Sequence, residues 1–341
     1  MTCEDDVKRI PNIFHFVFGL KPQTEPFHLM HYLCIATCLE VNKPETVMFH
    51  YHDLPWGPWW NLIAPRLELH KIEPNEFISN YQYSDKRIDQ WRYAHLADIA
   101  RLEIIIRHGG VYADIDTLFI NKLPESFFQE KFIMGKENVD WTAPAARIAG
   151  GSLCNAWFMG EPNADFARLW LKMIYENFDG SWSGHSTFLP YRLSREYPEL
   201  IRVEPERSFF FYDGAPEGLR QIFERPSTDV EGIYSMHLWS HIWWDRKKID
   251  SSYFHSGRLT PEYVMFSNSA YAGLARRFLP EAGSYSRQTY ELQRAYAFIE
   301  NVKLFFNKYC YERMLKLIYH LKNDGYMQTL KLIYNKLSVK C

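Results

Sequence analysis

Four side chains in residues 92–116 (RYAHLADIARLEIIIRHGGVYADID) have the types and spacing to do chemistry together: Asp98, Arg101, Asp114 and Asp116. Asp114 and Asp116 flank Ile115. In a strand this spacing sends both carboxylates to one side and Ile115 into the core. Two carboxylates so close repel unless a cation neutralises them. Their hard oxygens suit Mn²⁺ or Mg²⁺, ions that keep waters and also bind substrate phosphates. Asp98 and Arg101 are three residues apart on a predicted helix and share a face. The pattern reads as a metal-diphosphate site with a second polar pair behind it. An isolated Asp-x-Asp is ordinary surface charge. Its combination with Asp98, Arg101, Gly109-Gly110 and Tyr112 in one helix-turn-strand unit carries the chemistry.

The elements that position these residues follow from periodicity. Leu96, Ile99, Leu102 and Ile106 keep helical spacing within a helix predicted over 89–108, and Gly109-Gly110 ends it. Residues 111–120 (VYADIDTLFI) are predicted as one strand containing both acids. Upstream, strands are predicted over 13–19, 47–52 and 67–72, with a helix opening at Thr24-Glu25-Pro26 and running to about Glu40. Residues 55–60 (PWGPWW) form a loop. This alternation predicts a parallel α/β sheet. Further strands are expected at 133–135, 154–159, 209–212 and 233–238, a helix at 163–177, and helices from about Tyr285, broken at Asp324-Gly325.

Composition excludes several classes. Of 341 residues, 47% are apolar and 23% charged, which is globular rather than disordered. A net charge of −2 argues against a general nucleic-acid binder. Aromatic residues make up 17%, enough for a large core and for platforms on which sugars or bases stack. The six cysteines are scattered, so no disulfide scaffold is expected, and Cys34 and Cys38 read as buried thiols. The opening MTCEDDVKRI is not a signal peptide, no apolar run is long enough to span a bilayer, and there is no Asn-x-Ser/Thr sequon. The expected location is the cytoplasm. GxGxxG, the Walker loop, HExxH and GxSxG are absent.

Ligands in α/β sheets sit beyond the carboxyl ends of strands, which puts Phe16, Val17 and Phe18 forward as a lining for the base pocket. Trp59 and Trp60 either stack on base or sugar or pack at a helix entry. Asn155 follows a Gly-Gly-Ser turn and either reaches the donor sugar or stabilises that turn. His95, one helical turn before Asp98, reads as packed.

The segment resembles the sugar-binding region of the Asp-x-Asp sugar transferases of glycosyltransferase family 32, and is similar to the corresponding part of the large clostridial glucosylating toxins. The matching residues are Asp98-Ile99-Ala100-Arg101, Gly109-Gly110 and Tyr112-Ala113-Asp114-Ile115-Asp116. The opening Ile10-Pro11-Asn12-Ile13-Phe14-His15-Phe16 resembles the family's start, PWGPWW a motif seen in some members, and His237-Leu238-Trp239-Ser240-His241-Ile242-Trp243 its late element. The match covers about residues 10–245. Ser183-Gly184-His185-Ser186-Thr187 departs from the Gly-Pro of many members.

The resemblance implies a GT-A fold, a mixed sheet flanked by helices, as a catalytic domain over 1–253 with a mostly helical extension over 254–341. It implies a metal-dependent transferase that moves sugar from a nucleotide-sugar with retention of configuration. Asp116 would be the main metal ligand and Asp114 would contact metal, ribose or sugar. Asp98 and Arg101 would hold donor hydroxyls and the diphosphate side, and His237, or His241, would make the late metal or diphosphate contact. The expected donor is a UDP-sugar, with a GDP-sugar as the alternative. The expected acceptor is a glycan or glycolipid of surface-polysaccharide type. A toxin-like protein glycosyltransferase, a nucleotide-sugar hydrolase and a non-enzymatic carbohydrate-binding protein are the competing classes.

Residues 301–341 carry eight Lys/Arg and two Asp/Glu, a charge of +6 against −8 for the remainder. Leu315, Ile318, Leu330, Ile333 and Tyr334 alternate there with Lys316, Lys322, Lys331 and Lys336. Such a basic amphipathic tail suits either an anionic membrane surface or packing on the catalytic domain.

Overall fold

The structure, a computed structural model, describes residues 8–142, 144–227, 229–245, 254–281 and 283–323. The chain opens on β1 (Ile13–Phe18), followed by α1 (Leu29–Asn42) and the strands β2 (Thr46–Tyr51) and β3 (Glu68–Lys71). Helix α2 (Arg92–His108) leads into β4 (Gly110–Ala113), then β5 (Thr117–Phe119), β6 (Phe132–Lys136) and β7 (Leu153–Gly160). Helix α3 (Asp165–Asn177), β8 (Arg202–Glu204), β9 (Ser235–His237) and the long α4 (Arg287–Asn323) complete the main elements. The main sheet has seven strands in the order β3-β2-β1-β4-β7-β6-β8. Only β7 runs against its neighbours, so the sheet is mixed. β5 and β9 form a separate antiparallel pair. The mixed α/β architecture flanked by helices, with a helical C-terminal extension, agrees with the fold class expected from the sequence.

The sheet is buried on both faces. Phe14, Phe16, Phe49 and Trp157 pack with Cys34, Ile35 and Cys38 of α1 on one side. Tyr112, Phe132 and Phe158 pack with Ile99, Leu102 and Ile105 of α2 and Trp170 of α3 on the other. Leu29 and Leu33, on the far side of α1, join a third cluster with Leu118, Phe223, Trp243, Phe254, Val264 and Tyr271. Residues from both sides of position 253 thus share one core. Cys34, Cys38 and Cys154 are buried free thiols.

Several elements differ from the sequence reading. Helix α1 begins at Leu29, because His28 supplies the cap: its Nδ1 accepts from the Met30 N–H at 3.2 Å. Residues 24–26 are irregular, with a bend at Glu25, and next to them Phe27 N–H donates to Trp56 O of the aromatic loop at 2.8 Å. Within the expected loop, Pro58–Ile63 is a short helix with Pro58 in its first turn. The expected strand at 209–212 is the end of a helical turn, Glu206–Phe209, started by Pro205, and Phe209 stacks on Trp157 at 3.6 Å. The break at Asp324-Gly325 lies outside the described residues, as do Leu330, Lys331, Ile333, Tyr334 and Lys336.

The largest difference concerns the two acids. Residues 111–120 are two strands, and Asp114, Ile115 and Asp116 form the turn between them. Asp114 N–H donates to Ala156 O at 2.8 Å, and Thr117 N–H donates back to Asp114 O at 3.1 Å. The chain thereby leaves the main sheet and enters the β5–β9 pair. Ile115 is half-buried in this turn: it packs against the core, as expected, and also borders the cleft described below. Gly109 and Gly110 make the preceding join. Both have positive φ, 65° and 97°, and a Cβ on Gly110 would collide with the Ile13 carbonyl oxygen. Glycine there lets β4 lie against β1.

Candidate active site

A cleft of about 830 Å³ opens beyond the carboxyl ends of β1 and β4. β1 is flanked by β2 on one side and β4 on the other, so the cleft sits where strand order changes direction, the usual ligand position in such sheets. Val17, Phe18, Asp98, Arg101, Tyr112, Asp114, Asp116, Asn155 and His237 all line it. The structure thus brings together nine residues that the sequence put forward. Phe16 and Trp59 are placed elsewhere. Strand alternation turns Phe16 into the core, edge-on to Phe119 at 6.5 Å, and Trp59 packs on Tyr32 at 5.2 Å. Trp60 is buried against Phe49 at 4.8 Å.

Arg101 is the hub. It is 5% exposed, and its guanidinium lies 3.2 Å from Asp98 Oδ1 and 3.3 Å from Asp114 Oδ1. It also donates to Asn155 O at 2.8 Å and Ala97 O at 3.1 Å, which fixes the fork. Asp98 further accepts from Asn155 Nδ2 at 2.7 Å and from His185 Nε2 at 2.8 Å. Because an ionised carboxylate only accepts, Nε2 of His185 carries the proton. Burial works against the Asp98 charge, but Arg101 and His185 outweigh it and hold the carboxyl down at about 2. Asp114 is raised instead: burial and the neighbouring Asp116 charge outweigh Arg101 and the Tyr112 hydroxyl, which donates at 2.6 Å.

The β5–β9 pairing sets Thr117 opposite His237. His237 Nε2 then lies 3.1 Å from Asp116 Oδ1 and 4.0 Å from Asp114 Oδ2. The other Asp116 oxygen accepts the Ser240 N–H at 2.8 Å. Trp239 makes this geometry by adopting a left-handed conformation, φ 56°, at the start of the turn. Burial opposes a charge on His237, but Asp116 prevails and its pKa is raised. Asp116 in turn is held well below the usual carboxylate range by His237 and Ser240, against its burial.

Among the described residues, two groups of three side chains have ligand atoms within 4.8 Å of one another: Asp114, Asp116 and His237, and His95, Asp98 and His185. In the first, two carboxylates and an imidazole converge at the cleft with His237 Nδ1 unpartnered. Neighbouring ligands on a six-coordinate ion at about 2.1 Å stand about 3 Å apart, so this set fits Mn²⁺ or Mg²⁺. In the second, Asp98 is already satisfied by Arg101 and His185, and His95 is buried with Nδ1 bonded to Tyr83 Oη at 2.6 Å. That group supports Asp98. The expectation of a packed His95 agrees with this placement.

The segment 31–133 matches the family model described as a glycosyltransferase sugar-binding region containing a DXD motif. Asp98, Arg101, Tyr112, Asp114 and Asp116 fall inside it. Glucan organizing enzyme 1 of Cryptococcus neoformans var. grubii is 30% identical over 280 residues, covering 79% of this chain and 71% of that protein. The chain belongs to this glycosyltransferase family. The solved structure of PaToxG glycosyltransferase is similar over 55% of this chain and 70% of its own, with 14% identity and a TM-score of 0.38. The matching family model and the 30% identical relative uphold the resemblance read from the sequence motifs, and the protein is a glycosyltransferase, an enzyme acting on a sugar donor and an acceptor.

Three features of this glycosyltransferase escaped the sequence reading. His185 stood in a stretch noted only for departing from Gly-Pro, yet it holds Asp98. Ser240 contributes its backbone N–H, which no side-chain motif reveals. Glu137 lines the cleft one residue after β6, and a lone carboxylate past a strand end gives no spacing signal.

Proposed function

We propose that this glycosyltransferase moves a sugar from a nucleoside-diphosphate sugar, a UDP-sugar, with retention of anomeric configuration, to a glycan or glycolipid acceptor of surface-polysaccharide type. The observation that carries the reading is the convergence of Asp114, Asp116 and His237 in the same cleft as the Asp98–Arg101 pair. Asp114, Asp116 and His237 would hold Mn²⁺, or Mg²⁺. A bound ion supplies Lewis-acid stabilisation of charge developing on the departing diphosphate.

The chain's own residues do the rest. Arg101, fixed by two carboxylates and two carbonyls, presents a permanent positive charge to the donor. Asp98 and Asn155, oriented by Arg101 and His185, accept and donate to donor hydroxyls. Val17 and Phe18 form the wall at the end of β1, where the base would lie. Burial of this machinery excludes water and strengthens each polar contact.

The test is a thermal-shift screen of UDP- and GDP-sugars with Mn²⁺, with Mg²⁺ and with chelator. A ligand that binds only the folded state stabilises by about 2.7 kcal/mol at 100 times its Kd. A UDP-sugar should raise Tm with Mn²⁺ and lose the effect with EDTA. Equal stabilisation without a divalent ion would reject the metal reading.

A second contact is proposed at residues 301–341, which would rest peripherally on the inner face of an anionic membrane. No described helix is long and apolar enough to cross a bilayer. Exposed Phe305 and Phe306, with Lys303 and Lys322 also exposed, support a surface position on α4.

A further inference from the structure

The deep part of the cleft holds four carboxylates, and three of them are neutralised from within the protein. Asp98 and Asp114 share Arg101, and Asp116 pairs with His237. The fourth, Glu137, is different. It is half-buried on the cleft wall, and its hydrogen-bond partners are neutral: the Ser152 hydroxyl donates to Oε1, and the Cys154 thiol donates as well. Its oxygens are not part of the convergent group formed by Asp114, Asp116 and His237.

We propose that Glu137 receives the attacking hydroxyl of the acceptor, and that the acceptor is a neutral sugar at that position. This rests on the transferase reading given above. A half-buried carboxylate with only neutral donors gains most from a further O–H, because a charge-assisted hydrogen bond is about twice as strong as a neutral one. A carboxylate or phosphate on the acceptor would instead meet the Glu137 carboxylate directly. The cleft rim supplies the remaining recognition. Trp182 is 42% exposed and stands 5.9 Å from Trp91 and 6.0 Å from His241, a set of rings on which a sugar face stacks.

In the transfer, the acceptor oxygen forms a bond to the anomeric carbon. The bond from that carbon to the diphosphate oxygen breaks and leaves its electron pair on the diphosphate. The acceptor's proton passes to Glu137, which returns it to solvent when product leaves. A positioned side chain in this role contributes 10² to 10⁴ in rate.

The experiment compares wild-type protein with Glu137→Gln. Donor affinity is read by calorimetry with Mn²⁺ and a UDP-hexose, and transfer is read with neutral oligosaccharides and their uronic-acid counterparts. The expected result is a fall in kcat of about 100-fold or more with donor Kd within threefold of wild type, and faster wild-type transfer to neutral acceptors than to uronates. Transfer by Glu137→Gln within threefold of wild type overturns the proposal. So does a donor Kd weakened as much as kcat, or a wild-type preference for uronates. Failure of the wild type to bind any UDP-hexose is the separate failure of the donor reading. Should Glu137→Gln not fold, Glu137→Asp keeps the charge but withdraws it by one methylene, and the same split between kcat and donor Kd is expected.

Discussion

His237 Nε2 lies 3.1 Å from Asp116 Oδ1 although 121 residues separate them in the chain. The Thr117–His237 register of the two-stranded β5–β9 sheet brings them together, and Leu238 N–H, donating to Asp116 O at 2.9 Å, locks it. A local motif thus acquires its third partner from a distant strand. Asp116→Asn keeps the shape of the side chain and removes one charge from the proposed ion site. The protein should stay folded by circular dichroism, transfer should fall below detection, and the Mn²⁺-dependent rise in Tm with UDP-sugar should disappear. Near wild-type transfer would reject the assignment.

Among the described residues, Arg101 is the cation that pairs with both Asp98 and Asp114, and removing one partner of a buried ion pair costs about 3–5 kcal/mol. Arg101→Ala should therefore lower stability by about that amount in urea unfolding, as well as reduce turnover. Arg101→Lys should recover part of the stability but little activity, since a point charge cannot bridge two carboxylates in a fork.

Acid should destabilise the fold through His15 and His50. His15 donates from Nε2 to the Gly109 carbonyl at 2.8 Å, so its Nδ1 can only accept from His50 Nε2, 3.1 Å away. Burial keeps both neutral and pushes their pKa values down to about 4 and about 2. Both lie below the unfolded value near 6.5, so the unfolded chain binds more protons and stability falls as pH drops from about 6.5 toward 4. His15 alone should remove about 2 kcal/mol between pH 7 and pH 5, readable as a shift of the urea midpoint. A flat midpoint over that range would contradict the neutral pair.

Gly110→Ala should destabilise by more than about 1 kcal/mol, because φ is 97° and the new Cβ meets the Ile13 carbonyl. The loss should appear in Tm. Gly150 has positive φ but nothing within 4 Å of a built Cβ, so Gly150→Ala should cost less.

Vesicle sedimentation tests the basic tail. Full-length protein should co-sediment with vesicles containing anionic lipid at low salt and be released at high salt, each Lys or Arg near the surface contributing about 1 kcal/mol. A chain ending near Asn301 should remain in the supernatant. Binding that is indifferent to salt, or survives truncation, would discard the contact.

Much of the catalytic half was legible in sequence because its signals are local. Leu96, Ile99 and Leu102 announce α2, Gly109-Gly110 ends it, and Asp98, Arg101, Asp114 and Asp116 fall within nineteen residues of one another. What misled was the shared face of the two acids. They do converge, but through the turn at 114–117, since the Asp-Ile-Asp alternation of a single strand cannot be told from a turn joining two short strands. His185 and Glu137 were illegible for another reason. Their positions depend on how β6, β7 and the segment after α3 pack, which is a tertiary matter. Phe16 was overruled by the register of β1, whose alternate residues face the core.

The Asp116–His237 join also orders events in time. The segment carrying both acids leaves the ribosome long before residue 237 does, so a nascent chain has both carboxylates before it has the imidazole that completes the proposed ion site. Closing a loop of this length adds little to the equilibrium cost, only about 0.6 kcal/mol per doubling, but contacts so far apart in sequence form slowly. Completion of the proposed ion site is thereby tied to completion of the β5–β9 sheet, and a chain interrupted before β9 lacks the imidazole of that proposed site however well its first strands have folded.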